Sequence, residues 1–286
     1  MTNASFETLN PFCNNSFLVR KFNQTEFTSP YHYHSEYELT LIVKGRGNRY
    51  VGNHMAAYTT GDLALLGANL PHCWKSDNVV KNELNASSIV IQFNLGFLGA
   101  DFFSKPELST ILQLLEKSAQ GIHFLDKTVT EIRERMIVIA EEENSFKSLI
   151  LLLEILDILA TSKEYTLLYQ QNVIGQSAVK RERVNAVLQY IMENFKNEIL
   201  LEEAAAISHM TPNAFCKYYK KITGRTFMDT VIDYRINHAI QHVINSDRSI
   251  SDICFDSGFG DISHFHKLFK NKTSLSPLNY RKKFMK

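Results

Sequence analysis

From Phe17 to Phe93 the hydrophobic positions recur with a period of two. Tyr37, Leu39, Leu41 and Val43 alternate with Glu38, Thr40, Ile42 and Lys44, and Ser87 to Phe93 forms a further strand-like run. Turn residues break the stretch at 44–47, 52–53, 61–62 and 67–69. Short strands at such intervals predict a sandwich or barrel. After Phe97 the period lengthens to that of a helix. Leu108, Ile111, Leu112 and Leu115 share one face, as do Ile132, Met136 and Ile139, and Phe146, Leu149, Leu152, Leu153, Leu156 and Leu159 make a broad apolar stripe. Two readings of that stripe stand: it packs back on the barrel, or it is a dimer seam.

The pattern lapses between Asn172 and Ala178, where Gly175 and Ser177 sit among polar residues, and helical spacing resumes from Arg181 to Phe284. The chain therefore reads as an α+β protein of two domains. The first, 1–171, is a β-barrel with following helices; 172–182 is a linker; 183–286 is all-α.

The all-α part repeats itself at an offset of fifty. Phe215, Lys217, Tyr219, Lys220 and Thr223 recur as Phe265, Lys267, Phe269, Lys270 and Thr273, and upstream Leu200 and Ala204 answer to Ile250 and Cys254. Each copy is a short helix, a break, and a second helix with aromatics four apart, the layout of a helix-turn-helix unit. Thr211 is placed as an N-cap, Pro212 at the first helical position and Gly224 just past the end. In the second copy Ser249 with Asp252 resembles a capping box and Gly258 makes the turn. The aromatics face inward. Thr211, Asn213, Cys216, Lys217 and Lys220 then face outward on the first recognition helix, and Ile262, Ser263, His266, Lys267 and Lys270 on the second. These ten are the candidate DNA contacts, with Lys217 placed to reach guanine or phosphate and Asn213 to read adenine. A solvated helix face is the alternative for any one lysine; paired placement on two helices favours DNA.

Charge sharpens this division. The formal net charge is +1 over 286 residues, but from Lys180 onward 17 Lys and Arg face 11 Asp and Glu, while the remainder holds 14 against 19. A basic half behind an acidic half suits an anionic polymer bound at one end. Cys13, Cys73, Cys216 and Cys254 have no paired spacing, as expected of reduced thiols in the cytoplasm. The first ten residues lack a signal-peptide core, and the most apolar stretch, Leu149 to Ala160, is interrupted by Glu154 and Asp157, so no membrane association is expected.

The run Arg235-Ile236, Ala239, Ile250, Asp252-Ile253, Gly258-Phe259, Asp261, Ser263, Phe265, Phe269-Lys270, Pro277 and Tyr280-Arg281 resembles the signature of the arabinose-regulator (AraC/XylS) family. The resemblance implies two helix-turn-helix units joined by a long helix, here Thr226 to Asn245, entering successive major grooves of double-stranded DNA. Lysine stands at 217 and 267 where the family usually carries arginine, which replaces a bidentate fork by a point charge. Farther upstream His32-Tyr33-His34, Glu38, Gly45, Gly61 and His72 resemble the cupin motif pair, with Gly67 where proline is common and Asn69 where glycine is.

His32, His34 and Glu38 have the same parity, as on one extended strand, and His72 completes a set of three histidines and a carboxylate. That set can hold Zn, Fe, Mn or Ni. The reading followed instead is that His32, His34, Glu38, His72 and Trp74 bind a small-molecule effector, with a sugar among the candidates, and that no cofactor is held. Tyr31, Tyr33 and Tyr37 with Trp74 are either a stacking wall or core. The expected protein is a transcription regulator, homodimeric as the resemblance implies, with RNA polymerase as a further candidate partner and no catalytic residue. Two alternatives are a metal-dependent cupin enzyme fused to a DNA-targeting module, and a ligand-independent regulator whose barrel serves only dimerisation.

Overall fold

The computed structural model describes residues 5–6, 16–52, 54–76, 85–168 and 178–284. The described residues form two compact units, one built on residues 5–52 and 57–168, the other on residues 178–284. No helix among the described residues is long and apolar enough to cross a membrane. Cys13 lies outside the described residues; Cys73, Cys216 and Cys254 are free thiols.

The N-terminal unit holds strands β1 (Ser5–Phe6), β2 (Phe17–Gln24), β3 (His32–Tyr33), β4 (Tyr37–Lys44), β5 (Gly47–Val51), β6 (His54–Tyr58), β7 (Leu63–Leu66), β8 (His72–Ser76) and β9 (Ala86–Phe93). Helix α1 (Ser109–Lys117), β10 (Ile122–Phe124), helices α2 (Asp126–Ile139) and α3 (Ser145–Thr161), and β11 (Tyr165–Leu167) follow. The strands make a five-stranded sheet, β1-β3-β8-β5-β6, and a six-stranded sheet, β11-β10-β7-β4-β9-β2. The barrel expected from the sequence is built from these two sheets.

In the six-stranded sheet, β2, β9 and β4 pair so that Val19, Ile91 and Leu39 stand in one row and Arg20, Val90 and Thr40 in the next. Strand alternation sends those rows to opposite faces. The first face, with Phe17, Leu41, Ile89 and Phe93, packs against Ile111, Leu115, Ile132, Met136, Leu152 and Leu156 of the three helices. The second face carries Glu38, Thr40, Ser88 and Gln92, all buried. Polar alternation here marks an interior, not a solvated surface.

Helix α3 divides the apolar stripe between a buried and an exposed face. Leu152, Ile155, Leu156 and Leu159 are at most 1% exposed and belong to the core of this unit. Phe146, at 70% exposure, and Ile150, at 41%, stand outside it. The helix begins where Asn144 accepts the amides of Phe146 and Lys147.

The C-terminal unit is all helical: α4 (Ala178–Asn194), α5 (Leu201–Ile207), α6 (Pro212–Thr223), α7 (Phe227–Asn245), α8 (Ile250–Asp256), α9 (Ile262–Thr273) and α10 (Pro277–Phe284). Of the expected linker, 172–177 lie outside the described residues, and 178–182 already belong to α4. Helices α5–α6 and α8–α9 are the two helix-turn-helix units, and α7 is the bridge. Its start is a full capping box between Thr226 and Asp229. Ser249 accepts the Asp252 amide, while Thr211 sits at the N-cap of α6 without a side-chain bond.

The offset of fifty holds in the recognition helices and at the starts of the helices after them, Phe227 and Pro277. In the supporting helices the offset is forty-nine: the Met210 amide bonds the Ala205 carbonyl as the Phe259 amide bonds that of Cys254. Ala204 and Ala205 thus correspond to Ile253 and Cys254, so the Ala204–Cys254 match read from the sequence is one residue out of step. One extra residue in the second turn restores the larger offset. At that turn Gly258 has φ +84, and a Cβ on it would lie 2.5 Å from the Phe195 carbonyl oxygen. Gly258→Ala should therefore destabilise the C-terminal unit by at least about 1 kcal/mol, seen as a lower melting temperature of that unit.

Candidate functional site

The candidate site residues gather in two places, one in each unit. In the barrel, the sequence put His32, His34 and Glu38 on one strand. They lie instead on either side of a bend: His32 on β3 in the five-stranded sheet, His34 just after it, and Glu38 on β4 in the six-stranded sheet. Convergence comes from the two sheets meeting, not from strand parity. His72 is the cross-strand partner of His32.

Glu38 organises the cluster. Its Oε2 accepts from His34 Nε2 at 3.0 Å and from Gln92 Nε2 at 2.8 Å. Its Oε1 accepts from Thr40 Oγ1 at 2.7 Å and lies 3.4 Å from His72 Nε2. Burial alone would push this carboxyl up, but the charge of His72 and the hydrogen bonds from His34 and His72 outweigh it and hold the group well below the usual carboxylate range. The pKa of His32 is lowered too, which for a base favours the neutral form. Burial, reinforced by His72, lowers its pKa to about 4, so it is neutral at physiological pH.

The second ring nitrogens show how the imidazoles are aimed. Nδ1 of His32 faces the Pro30 carbonyl at 2.8 Å, Nδ1 of His34 that of Glu36 at 3.2 Å, and Nδ1 of His72 that of Leu70 at 2.8 Å. A carbonyl only accepts, so each Nδ1 carries a proton; His34 then donates from Nε2 to Glu38 only as the imidazolium, and as a neutral ring it turns the Nε2 lone pair inward. Ligand atoms of the three histidines lie within 4.8 Å of one another. Backbone-anchored imidazoles around one carboxylate are the outer-shell arrangement of a metal centre. The residues present fit a divalent transition-metal ion, which would supply a Lewis-acidic anchor for an oxygen of a bound molecule.

Beside this cluster opens a cavity of about 460 Å³. His32, Glu38 and Trp74 line it; His34 and His72 are not among its lining residues. Arg20, Thr40 and Gln92 also line it and were not singled out in the sequence; their parity with Glu38 on paired strands was the available signal. Arg20 donates to Gln92, which in turn donates to Glu38. The apolar wall is Phe22, Phe27, Ile42, Val90 and Trp74. Trp74 directs its indole N–H to Asp62, which also pairs with the buried Arg49. The tyrosine wall does not assemble there: Tyr31 is buried and donates to the Gly52 carbonyl, Tyr33 is buried, and Tyr37 stacks on Phe93.

In the helical unit all ten candidate DNA contacts are exposed: Thr211, Asn213, Cys216, Lys217 and Lys220 with α6, and Ile262, Ser263, His266, Lys267 and Lys270 with α9. Phe215, Tyr219, Phe265 and Phe269 are at most 1% exposed on the opposite faces. The signature arginines have structural roles. Arg235 donates to the carbonyls of Phe195 and Asn197, and Arg281 to those of Val243 and Arg248, so each closes the end of a preceding helix.

Residues 204–283 match the helix-turn-helix domain family and residues 19–81 the cupin domain family. The chain thus carries a segment that matches a cupin domain, followed by one that matches a helix-turn-helix domain. Its relatives include the bifunctional transcriptional activator/DNA repair enzyme AdaA of Bacillus subtilis, 32% identical over 100 residues that make 35% of this chain and 47% of that protein. The transcriptional activator RhaS of Mannheimia succiniciproducens is 24% identical over 258 residues, 88% of this chain and 89% of that one. The chain spans about half of AdaA and 36% of a second Bacillus subtilis regulator, YdeC. Among solved structures, ToxT from Vibrio cholerae aligns over 94% of this chain and 98% of that one at 14% identity and a TM-score of 0.37.

The barrel geometry generates a test. Added Zn²⁺ or Mn²⁺ should raise the melting temperature of the metal-stripped N-terminal unit in the full chain, and His34→Ala should abolish the rise. A wild-type melting curve indifferent to both ions would mean that the histidines and Glu38 satisfy one another.

Proposed function

We propose that this protein is a cytoplasmic, sequence-specific DNA-binding transcription regulator, not an enzyme, that responds to a small molecule held in its N-terminal barrel. The observation that carries the reading is the pair of helix-turn-helix units, each burying its aromatics and presenting an exposed lysine pair, Lys217 with Lys220 and Lys267 with Lys270. On this reading the two recognition helices enter the major groove, where lysines neutralise phosphates or reach guanine and Asn213 reads a base edge. The cavity beside Glu38 suits an effector, since it is mostly apolar with a few convergent polar groups. A second reading, that a metal ion sits under that effector, is supported by the three carbonyl-anchored imidazoles.

The division of labour proposed is an effector-binding and dimerisation domain up to about residue 171 and a DNA-binding domain from about 183. Homodimerisation is assigned to the outer face of α3, because Phe146 and Ile150 are exposed there. RNA polymerase is proposed as a further partner.

On a DNA fragment selected from random sequence, affinity measured by fluorescence anisotropy should fall steeply with salt as counterions are released. Lys217→Ala and Lys267→Ala should each cost about 1–3 kcal/mol. A double mutant that binds as tightly as wild type removes the assignment of α6 and α9. Sedimentation should separate the two faces of α3. Phe146→Asp with Ile150→Asp should give folded monomers, whereas Leu152→Asp should unfold the N-terminal unit by burying an unpaired charge.

A further inference from the structure

Away from the barrel and from the recognition faces, one polar cluster in the helical unit has no part in DNA binding as described above. His238 and His242 stand four residues apart on the bridge helix α7, so their side chains share one face. Their Nε2 atoms are 3.0 Å apart. Asp256, the last residue of α8, faces them, and the ligand atoms of all three lie within 4.8 Å of one another.

We propose that His238, His242 and Asp256 form a site for a divalent transition-metal ion of the zinc or cobalt kind, which ties the bridge helix to the second helix-turn-helix unit. Two imidazole nitrogens and one carboxylate oxygen are a common three-residue ligand set for such ions, with the fourth position left to water. His238 is oriented for the task. Its Nδ1 hydrogen-bonds Ser257 Oγ at 2.9 Å, and its ring is 4% exposed and packed edge-on against Phe195. An anchored Nδ1 leaves Nε2 as the coordinating atom. The positive charges of Lys196 and Arg248 lie close enough to act on this imidazole. Asp256 is held in turn: its Oδ2 accepts from Arg248 Nη1 at 2.9 Å, leaving Oδ1 for an ion. His242 and Asp256 are part-exposed, which gives an ion its way in.

Lys196 and Arg248 are the electrostatic counterweight. Their positive charges oppose a dication, so the site binds more weakly than a thiolate-rich structural zinc site and fills or empties with the supply of metal. The location gives occupancy a consequence. Asp256 and Ser257 lead directly into the Gly258 turn, and that turn sets how α9 leaves α8. Clamping Asp256 to α7 fixes the presentation of Lys267 and Lys270, so metal should tighten binding to the half of the DNA site read by α9.

The test uses the full chain, stripped with a chelator and titrated with Co²⁺ and Zn²⁺ alone. Because the barrel histidines offer ligands of their own, the reading is the difference between wild type and two variants, His242→Ala and the near-isosteric Asp256→Asn. The inference expects wild type to bind one more equivalent than either variant. It also expects part of the visible Co²⁺ absorption of a tetrahedral site to vanish in both, and Zn²⁺ to strengthen DNA binding at least threefold in wild type only. Should His242→Ala misfold by circular dichroism, Asp256→Asn decides. Equal stoichiometry and equal Co²⁺ spectra in wild type and a folded variant overturn the site; an extra equivalent without any change in DNA affinity overturns the coupling to α9.

Discussion

A single ionised carboxylate inside a barrel sets the terms for the N-terminal unit. Glu38 is 4% exposed, and an unpaired charge at that depth is far too costly to keep. The chain meets the cost with donors drawn from four segments: His34 after β3, Thr40 on β4, His72 on β8 and Gln92 on β9. Those segments belong to both sheets, so satisfying one side chain also fixes how the sheets meet. Low dielectric strengthens each of these bonds, which makes the cluster both rigid and intolerant of partial loss. The cavity opens beside the cluster because polar groups so held leave room that apolar packing would have filled.

The helical unit rests on a different economy. Its aromatics and its signature arginines are consumed internally, Phe215, Tyr219, Phe265 and Phe269 in two small cores and Arg235 and Arg281 on helix-end carbonyls. Asp233 on the bridge helix pairs with Arg225 after α6 and with Lys272 on α9, at 2.8 Å for the latter, and so links the first unit to the second. With structural work done on the inner faces, the lysines of the outer faces are left exposed.

Several readings of the sequence failed for reasons that can be stated. Parity placed His32, His34 and Glu38 on one strand, but the chain bends between Tyr33 and Tyr37, and it was sheet pairing that brought them together. The broad stripe of α3 could not be divided by periodicity, since Leu152 and Phe146 are equally apolar and only packing separates 0% exposure from 70%. The offset-fifty repeat hid a one-residue slip, because Ala204 and Ala205 are both small and buried and either can be matched to Cys254. Arg20 and Gln92 were overlooked because neither belongs to a motif; they matter only through a cavity that strands distant in sequence enclose.

What the sequence determined by itself is whatever local periodicity and turn chemistry encode. The strand-rich and helical halves, the two helix-turn-helix units, the bridge from Thr226 and the inward aromatics all follow from spacings within a few residues, where side-chain direction is fixed by the backbone repeat. What only the tertiary structure decided is which medium each face meets. The polar parity of β4 by itself suits a solvent face or a barrel interior alike, and the second sheet lying over it makes it an interior. His238, His242 and Asp256 likewise become neighbours only when α8 folds back on α7. Burial and convergence are properties of contacts between segments far apart in sequence, and no window along one strand or helix contains them.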